Sequence, residues 1–427
     1  MIEQTEFLAL FGRRLRVVSH QTGVVALLWI LLMGCISTPT SPRPTEGHAS
    51  SATAGTPRTY SLGKFPERPP TPLPDRVATS MQEILDTVVE DGRLLGVTAT
   101  VIVADVGTWS GAAGTADGVT DMVPEAQFNT GSTNKTVIAA QVLRLIEDGM
   151  LALDDRVADH LPPTLDFDTN GATIRQLLSM RSGIANADLQ PFVHELGYDR
   201  RWIPLHPNHE QRAERYLETL ETLPTPKDSP PGRKFDYSST NFQLLELMIE
   251  HVTGRPSAEV LRADVLSGPG LERMIWQPAE HPSDPVAAPL SRRYAADVSA
   301  AFEAGGGYLP SRFDGWSAIV SDSPSLARWA YQLFGGGLLK AESLAAMSRG
   351  GRDGYGLGLW NDTREWDAGT EVLSGSGIII PAYSSIFVVL PDEGIVVVAQ
   401  SNVADSFRDF GQVEWCVRHL ADAARRL

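Results

Sequence analysis

"FNTGSTNKTVIAAQVLRLIEDGMLALDDRVADHLP", residues 128–162, sets the plainest helical period of the chain beside its most reactive pair of side chains. Val137, Ile138, Val142, Leu143 and Leu145 recur at helical spacing and predict a helix that starts near Ser132 and ends at Gly149. Ser132 and Lys135 stand three residues apart, so on a helix an amine reaches the hydroxyl. The chain has only five lysines in 427 residues. Arginine stays protonated, whereas a desolvated lysine can lose its proton and accept that of a serine. Spacing alone leaves open a surface lysine after a serine N-cap. "SLGK" at 61–64 repeats the spacing in a proline-rich stretch where nothing would bury it.

Working outward, "RVATSMQEILDTVVEDG" at 76–92 predicts a helix, "GVTATVIVADV" at 96–106 a buried strand, and "GTWSGAAGTA" at 107–116 the returning strand. From about 150 to 330 the signals are mainly helical, clearest at 172–184, 241–254 and 325–337, with long loops at 184–232 and 276–318. Strands return at 355–360, 382–391 and 394–402, before a helix to the end. A sheet built from both chain ends with helices between predicts one α/β body carrying a helical insertion.

The N-terminus reads differently. Arg13, Arg14 and Arg16 precede an apolar run at 24–34, long enough for a signal-peptide core and short for a bilayer span. "LMGC" at 32–35 resembles the lipobox of bacterial lipoproteins, which implies cleavage before Cys35 and a lipid on its thiol. An uncleaved signal anchor stays open, because Glu3 and Glu6 make the extreme terminus atypical. Residues 35–78 are rich in Pro, Ser and Thr without apolar period, which predicts a tether to a folded domain at 79–427. The expected location is the bacterial cell envelope. With Cys35 lipidated, Cys416 has no disulfide partner and reads as a small buried hydrophobe in the last helix. A net charge of −16 argues against nucleic acid or an anionic membrane surface as partner.

The segment 128–162 resembles the nucleophile region of the serine β-lactamase and penicillin-binding-protein superfamily, in the branch of class C β-lactamases, D-aminopeptidases, D,D-carboxypeptidases and related esterases. "ATIRQLLSMRSGI" at 172–184, "PPGRKFDYSSTNFQLLELMIEHVTGRP" at 230–256, "GGGLLKAESLAAM" at 335–347 and "YGLGLW" at 355–360 continue it in family order. The resemblance implies a β-lactamase-like fold, no cofactor, and Ser132 as the acylated nucleophile with Lys135 as its proton acceptor. It implies Tyr237 as a proton shuttle, and an oxyanion hole of two backbone N–H groups, one from Ser132 and one near Ile378.

Two departures bear on substrate. The third family motif falls on Gly375-Ser376-Gly377 without its usual lysine or histidine, which disfavours a substrate with a free carboxylate; Ser376 retains a hydroxyl for a neutral group. Ser239 stands where the tyrosine motif usually has asparagine, with Asn241 two positions later. Met180 replaces a frequent histidine and reads as structural.

Other chemistries find no motif. No G-x-S-x-G elbow occurs, "HEQRA" at 209–213 lacks the second histidine of a zinc site, and Asp154 and Asp155 read as turn and cap residues. Trp202, Trp276 and Trp316 either line an apolar pocket or are buried under the loops. The expected activity is an envelope serine hydrolase taking an ester or amide. D,D-peptidase or β-lactamase activity, and a non-catalytic binding homologue, are the alternatives.

Overall fold

Eight consecutive buried residues, Gly96–Val103, form β1, and helical layers cover both of its faces. The computed structural model describes residue 62 and residues 71–186, 229–277, 279–292, 318–335, 337–366, 369–379 and 382–427. All of these lie within one unit, Arg58–Leu427.

In chain order, α1 (Asp75–Glu90) leads into β1 and β2 (Gly107–Gly114). A short β3 (Phe128–Asn129) precedes α2 (Asn134–Glu147), and α3 (Ile174–Leu178), α4 (Thr240–Thr253) and α5 (Ser257–Asp264) follow. Next come β4 (Ile275–Gln277), β5 (Ala318–Ser321), α6 (Ser323–Gly335) and α7 (Ala341–Ser348). The chain closes with β6 (Trp360–Asn361), α8 (Thr363–Trp366), β7 (Leu373–Ile379), β8 (Tyr383–Leu390), β9 (Ile395–Ser401) and α9 (Phe407–Ala424).

The main sheet runs β2-β1-β9-β8-β7-β6, antiparallel throughout. Its centre joins the chain ends: Val97 pairs with Ser401 and Val103 with Ile395. α1 and α9 pack on one face and α6 on the other, the three-layer solution for a sheet buried on both sides. α1 carries Val77, Val88, Val89 and Thr87, each costing a few tenths of a kcal/mol in helix propensity. Burial of Val77, Met81, Leu85 and Val88 contributes about 1.5–3 kcal/mol per side chain, so packing decides the helix. Cys416 lies fully buried in the same core, as expected.

Three observations depart from the sequence reading. Residues 355–360, expected as a strand, form a tight turn: Tyr355 and Trp360 make an isolated bridge, and only Trp360–Asn361 joins the sheet. The region 150–330 also holds β4 and β5, which complete a second sheet in the order β3-β5-β4. Thr71–Leu73, read as tether, are bound to the body: Thr108 N donates to Thr71 O and Leu73 N to Thr108 O. The apolar run at 24–34, Cys35 and "HEQRA" lie outside the described residues, among which no helix is long and apolar enough to cross a membrane.

Candidate active site

β3 delivers the chain to a tight turn, Gly131–Thr133, before α2 begins at Asn134, two residues later than the sequence suggested. Gly131 adopts φ +54°, which a residue without a Cβ takes at little cost. Asn129 Oδ1 accepts from Gly131 N at 3.0 Å. Thr130 N donates to Ile319 O of β5 at 2.8 Å, while Ser385 Oγ of β8 donates to Thr130 O at 2.8 Å. Ser132 is therefore held from both sheets at the head of α2.

Lys135 Nζ donates to Ser132 Oγ at 3.1 Å, and Lys135 is only 2% exposed. That excludes the surface-lysine reading, as does Thr133 standing at the N-cap position with no side-chain cap bond. One residue on, Thr136 Oγ1 donates to Thr133 O and accepts from Trp329 Nε1 of α6 at 3.1 Å, which fixes the first turn of the helix.

Tyr237 arrives from the loop before α4. Its half-buried ring lies with its centroid 5.5 Å from Lys135 Nζ, and Phe242 of α4 lies 5.8 Å from the same nitrogen. Met180 organises this loop. Its backbone sits in the left-handed region at φ +56°, its carbonyl accepts from Asp236 N at 2.8 Å, and its Sδ accepts from Ser238 N at 3.4 Å. The sequence marked Met180 as structural without showing that its thioether is an acceptor.

Asn241 does not stand in for the missing motif asparagine. It is fully buried, its Oδ1 accepting from Ser182 Oγ at 2.7 Å and its Nδ2 facing Leu177 O and Met180 Sδ. Ser239 is buried at the head of α4, with its N–H donated to Asn186 Oδ1 at 3.3 Å.

The third strand of the site is β7. Among the described residues β6 pairs only with Leu373 and Ser374, so β7 meets the Ser132 turn beyond that point. A Cβ on Gly377 would lie 2.0 Å from Thr130 O and 2.5 Å from Ser132 N, and a Cβ on Gly131 would lie 3.0 Å from Ile378 N. Gly377 and Ile378 of β7 thus run directly against the backbone of Gly131 and Ser132. Gly375 shares a face with Gly377, and a Cβ there would lie 2.4 Å from the Phe387 ring and 2.9 Å from Thr136 Cγ2. Strand alternation puts Ser376 on the opposite face, with Ile378, which packs against the layer of α1 and α9.

Asp155 Oδ2 accepts from Ala152 N at 2.8 Å, and Asp154 pairs with Arg175, so both shape the turn after α2. Trp276 is 1% exposed in β4, buried as one of the two readings expected; Trp202 and Trp316 lie outside the described residues. Among the described residues no group of three His, Cys, Asp or Glu side chains is placed to hold a metal.

An antiparallel sheet closed by both chain ends, between helical layers, with a serine turn and a buried lysine under its edge, is the architecture of β-lactamases and penicillin-binding proteins. The beta-lactamase family model matches residues 81–419, and the chain belongs to that family. Penicillin-binding protein 4 of Amycolatopsis lactamdurans is 30% identical over 159 residues, covering 36% of this chain and 38% of that protein. An unguisins hydrolase of Aspergillus campestris is 24% identical over 346 residues, 71% of this chain and 57% of its own. The chain thus spans less than two thirds of either relative. The solved structure of a D-amino acid amidase from Ochrobactrum anthropi SV3, complexed with D-phenylalanine, superposes with a TM-score of 0.64 at 21% identity, covering 82% of this chain and 100% of that one.

Proposed function

We propose that the chain is a serine hydrolase that works through an acyl-enzyme on an uncharged ester or amide. The observation that carries this reading is the 3.1 Å contact between the buried Lys135 Nζ and Ser132 Oγ, with the Tyr237 ring beside the same nitrogen. In the proposed cycle Ser132 Oγ attacks the carbonyl carbon as its proton passes to a neutral Lys135. The N–H groups of Ser132 and Ile378 take the developing oxyanion, a contribution of about 3 kcal/mol per donor. Tyr237 relays a proton to the leaving group and later from the water that frees the acyl group.

The Phe387 ring lying where a side chain at 375 would start supports an uncharged substrate, since no cation fits there without displacing it. The names of the relatives, a hydrolase of unguisins and an amidase of D-amino acids, suggest hydrolysis of an amide, with a D-configured residue as one candidate. A D,D-peptidase is the second reading, favoured by the 30% identity to penicillin-binding protein 4 over 159 residues. Labelling with a fluorophosphonate and with fluorescent penicillin, alongside turnover of p-nitrophenyl esters and D-amino acid amides, separates these. Ester or amide turnover that Ser132→Ala abolishes is expected; penicillin labelling with slow release would shift the assignment to the peptidase. No serine-dependent label and no turnover would leave a binding homologue.

The lipobox-like "LMGC" supports attachment to the cell envelope through lipid on Cys35, in the lipoprotein manner. Cys35→Ser is expected to release the protein from membranes, and retention of that variant would indicate an uncleaved anchor.

A further inference from the structure

The turn at 355–360 borders α2, Tyr237 and β7. At its middle, Gly358 adopts φ +76° and donates its N–H to Leu178 O at 2.9 Å. A Cβ there would lie 2.6 Å from Ala139 Cβ, 3.1 Å from Lys135 O and 3.3 Å from Phe242 Cζ. The bare backbone of Gly358 is thus seated in the groove between α2, which carries Lys135, and α4, which follows Tyr237.

At its start, Tyr355 presents a ring edge-on to Tyr237, with centroids 6.4 Å apart and planes at 80°. Tyr355 is itself locked. Trp360 stands edge-on to it at 4.6 Å, and Phe235 packs against it at 5.6 Å. Phe235 is roofed by the Arg181 guanidinium at 5.8 Å, which is in turn tied to Asp353 and to Ser179 O. At its end, Trp360 pairs with Ser374 of β7, the strand that carries the Ile378 amide. Backbone bonds from Gly356 N to Leu359 O and from Leu357 N to Met347 O hold the turn rigid between these contacts.

We infer that the turn 355–360 is a clamp that sets the spacing of Lys135 and Tyr237, and that Tyr355 and Gly358 are positioning residues for the proton relay. This rests on the proposed serine-hydrolase reading. Edge-to-face rings hold an orientation through their quadrupoles, so a neighbour's edge fixes the Tyr237 ring where a flexible aliphatic chain would not. Burial, and then the nearness of a charge on Tyr237, hold the Tyr355 hydroxyl well above the ordinary phenol range.

The test uses the full chain, with each variant normalised to the fraction that takes up fluorophosphonate, so that misfolded protein does not count. Tyr355→Phe, which keeps the ring, is expected to hold kcat within about threefold. Tyr355→Leu and Gly358→Ala are expected to lower kcat at least about tenfold with KM within about threefold, since displacing a reacting group by an ångström costs up to about a hundredfold. Both should also move the pH profile of kcat, a readout that loss of stability alone leaves in place. Wild-type kcat and an unmoved pH profile in labelled Tyr355→Leu would overturn the clamp. If Tyr355→Leu fails to fold, Phe235→Leu, which loosens Tyr355 from outside, carries the same expectation and the same refutation. Absence of Ser132-dependent turnover in the wild type would instead overturn the hydrolase reading itself.

Discussion

Gly377→Ala isolates the oxyanion pair from the acid–base side chains. The added methyl would start 2.0 Å from Thr130 O and 2.5 Å from Ser132 N. Ordinary contact begins near 3.4 Å, so β7 and the serine turn must separate by about 1.4 Å at Thr130 O. Neither side yields easily: Thr130 is held by Ile319 O and Ser385 Oγ, and β7 is paired with β8 through Gly377 and Ser385. A donor displaced by this distance no longer meets an oxyanion at 2.7–3.1 Å, and loss of one donor costs about 3 kcal/mol, or roughly 100- to 1,000-fold in kcat. Because the oxyanion exists only in the transition state, KM should change by no more than about threefold. Ser132 and Lys135 remain in contact within α2 and its turn, so the 3.1 Å pair persists. The assay is steady-state hydrolysis of a p-nitrophenyl ester, with thermal melting to confirm folding. A folded Gly377→Ala with the wild-type kcat would refute the placement of the oxyanion between Ser132 N and Ile378 N.

Three further outcomes are expected. In a Cys35→Ser background, burial pushes the Cys416 thiol up to about 12 from 9.0, so maleimide at pH 8 should modify it roughly a thousandfold more slowly than in urea-unfolded chain. With the folded value raised, this group's share of stability is full below pH 9 and lost as pH climbs toward 12; urea melts of the protein and of its Cys416→Ala variant should converge across that window. Met180→Leu keeps the volume and removes the thioether acceptor of Ser238 N, so a loss of about 1–3 kcal/mol in urea unfolding is expected, and a change under half a kcal/mol would contradict that bond.

The parts of this fold that were legible in the sequence are those where one period runs long enough to register. β1, β8 and β9 are mostly apolar runs, buried at every position because both sheet faces are covered, and α2 and α4 carry apolar residues over three turns or more. The smaller sheet was not legible: its strands are two to four residues long and held by pairing with distant partners. "YGLGLW" alternates like a strand, yet Gly358 at φ +76° bends it into a turn, so period 2 misled where glycine conformation governed. In the site, Ser132, Lys135 and the strand around Gly377 could be placed from motif and order. The orientation of Ser376, the inward turn of Asn241 and the thioether of Met180 depend on which way side chains face after folding, which composition does not encode.

The pairing of β1 with β9 brings together residues about three hundred positions apart, and α9 then seals the same layer. The interior of the protein is thus assembled from its first and last segments, and no N-terminal portion can complete it alone. During synthesis the chain must wait, with one edge of β1 unpaired and the α9 share of its layer missing, until Ile395–Ala424 has been made. Nascent chains arrested before residue 395 should accordingly be digested by protease throughout their length, and a stop thirty residues before residue 427 should eliminate the folded product instead of leaving a shortened folded protein.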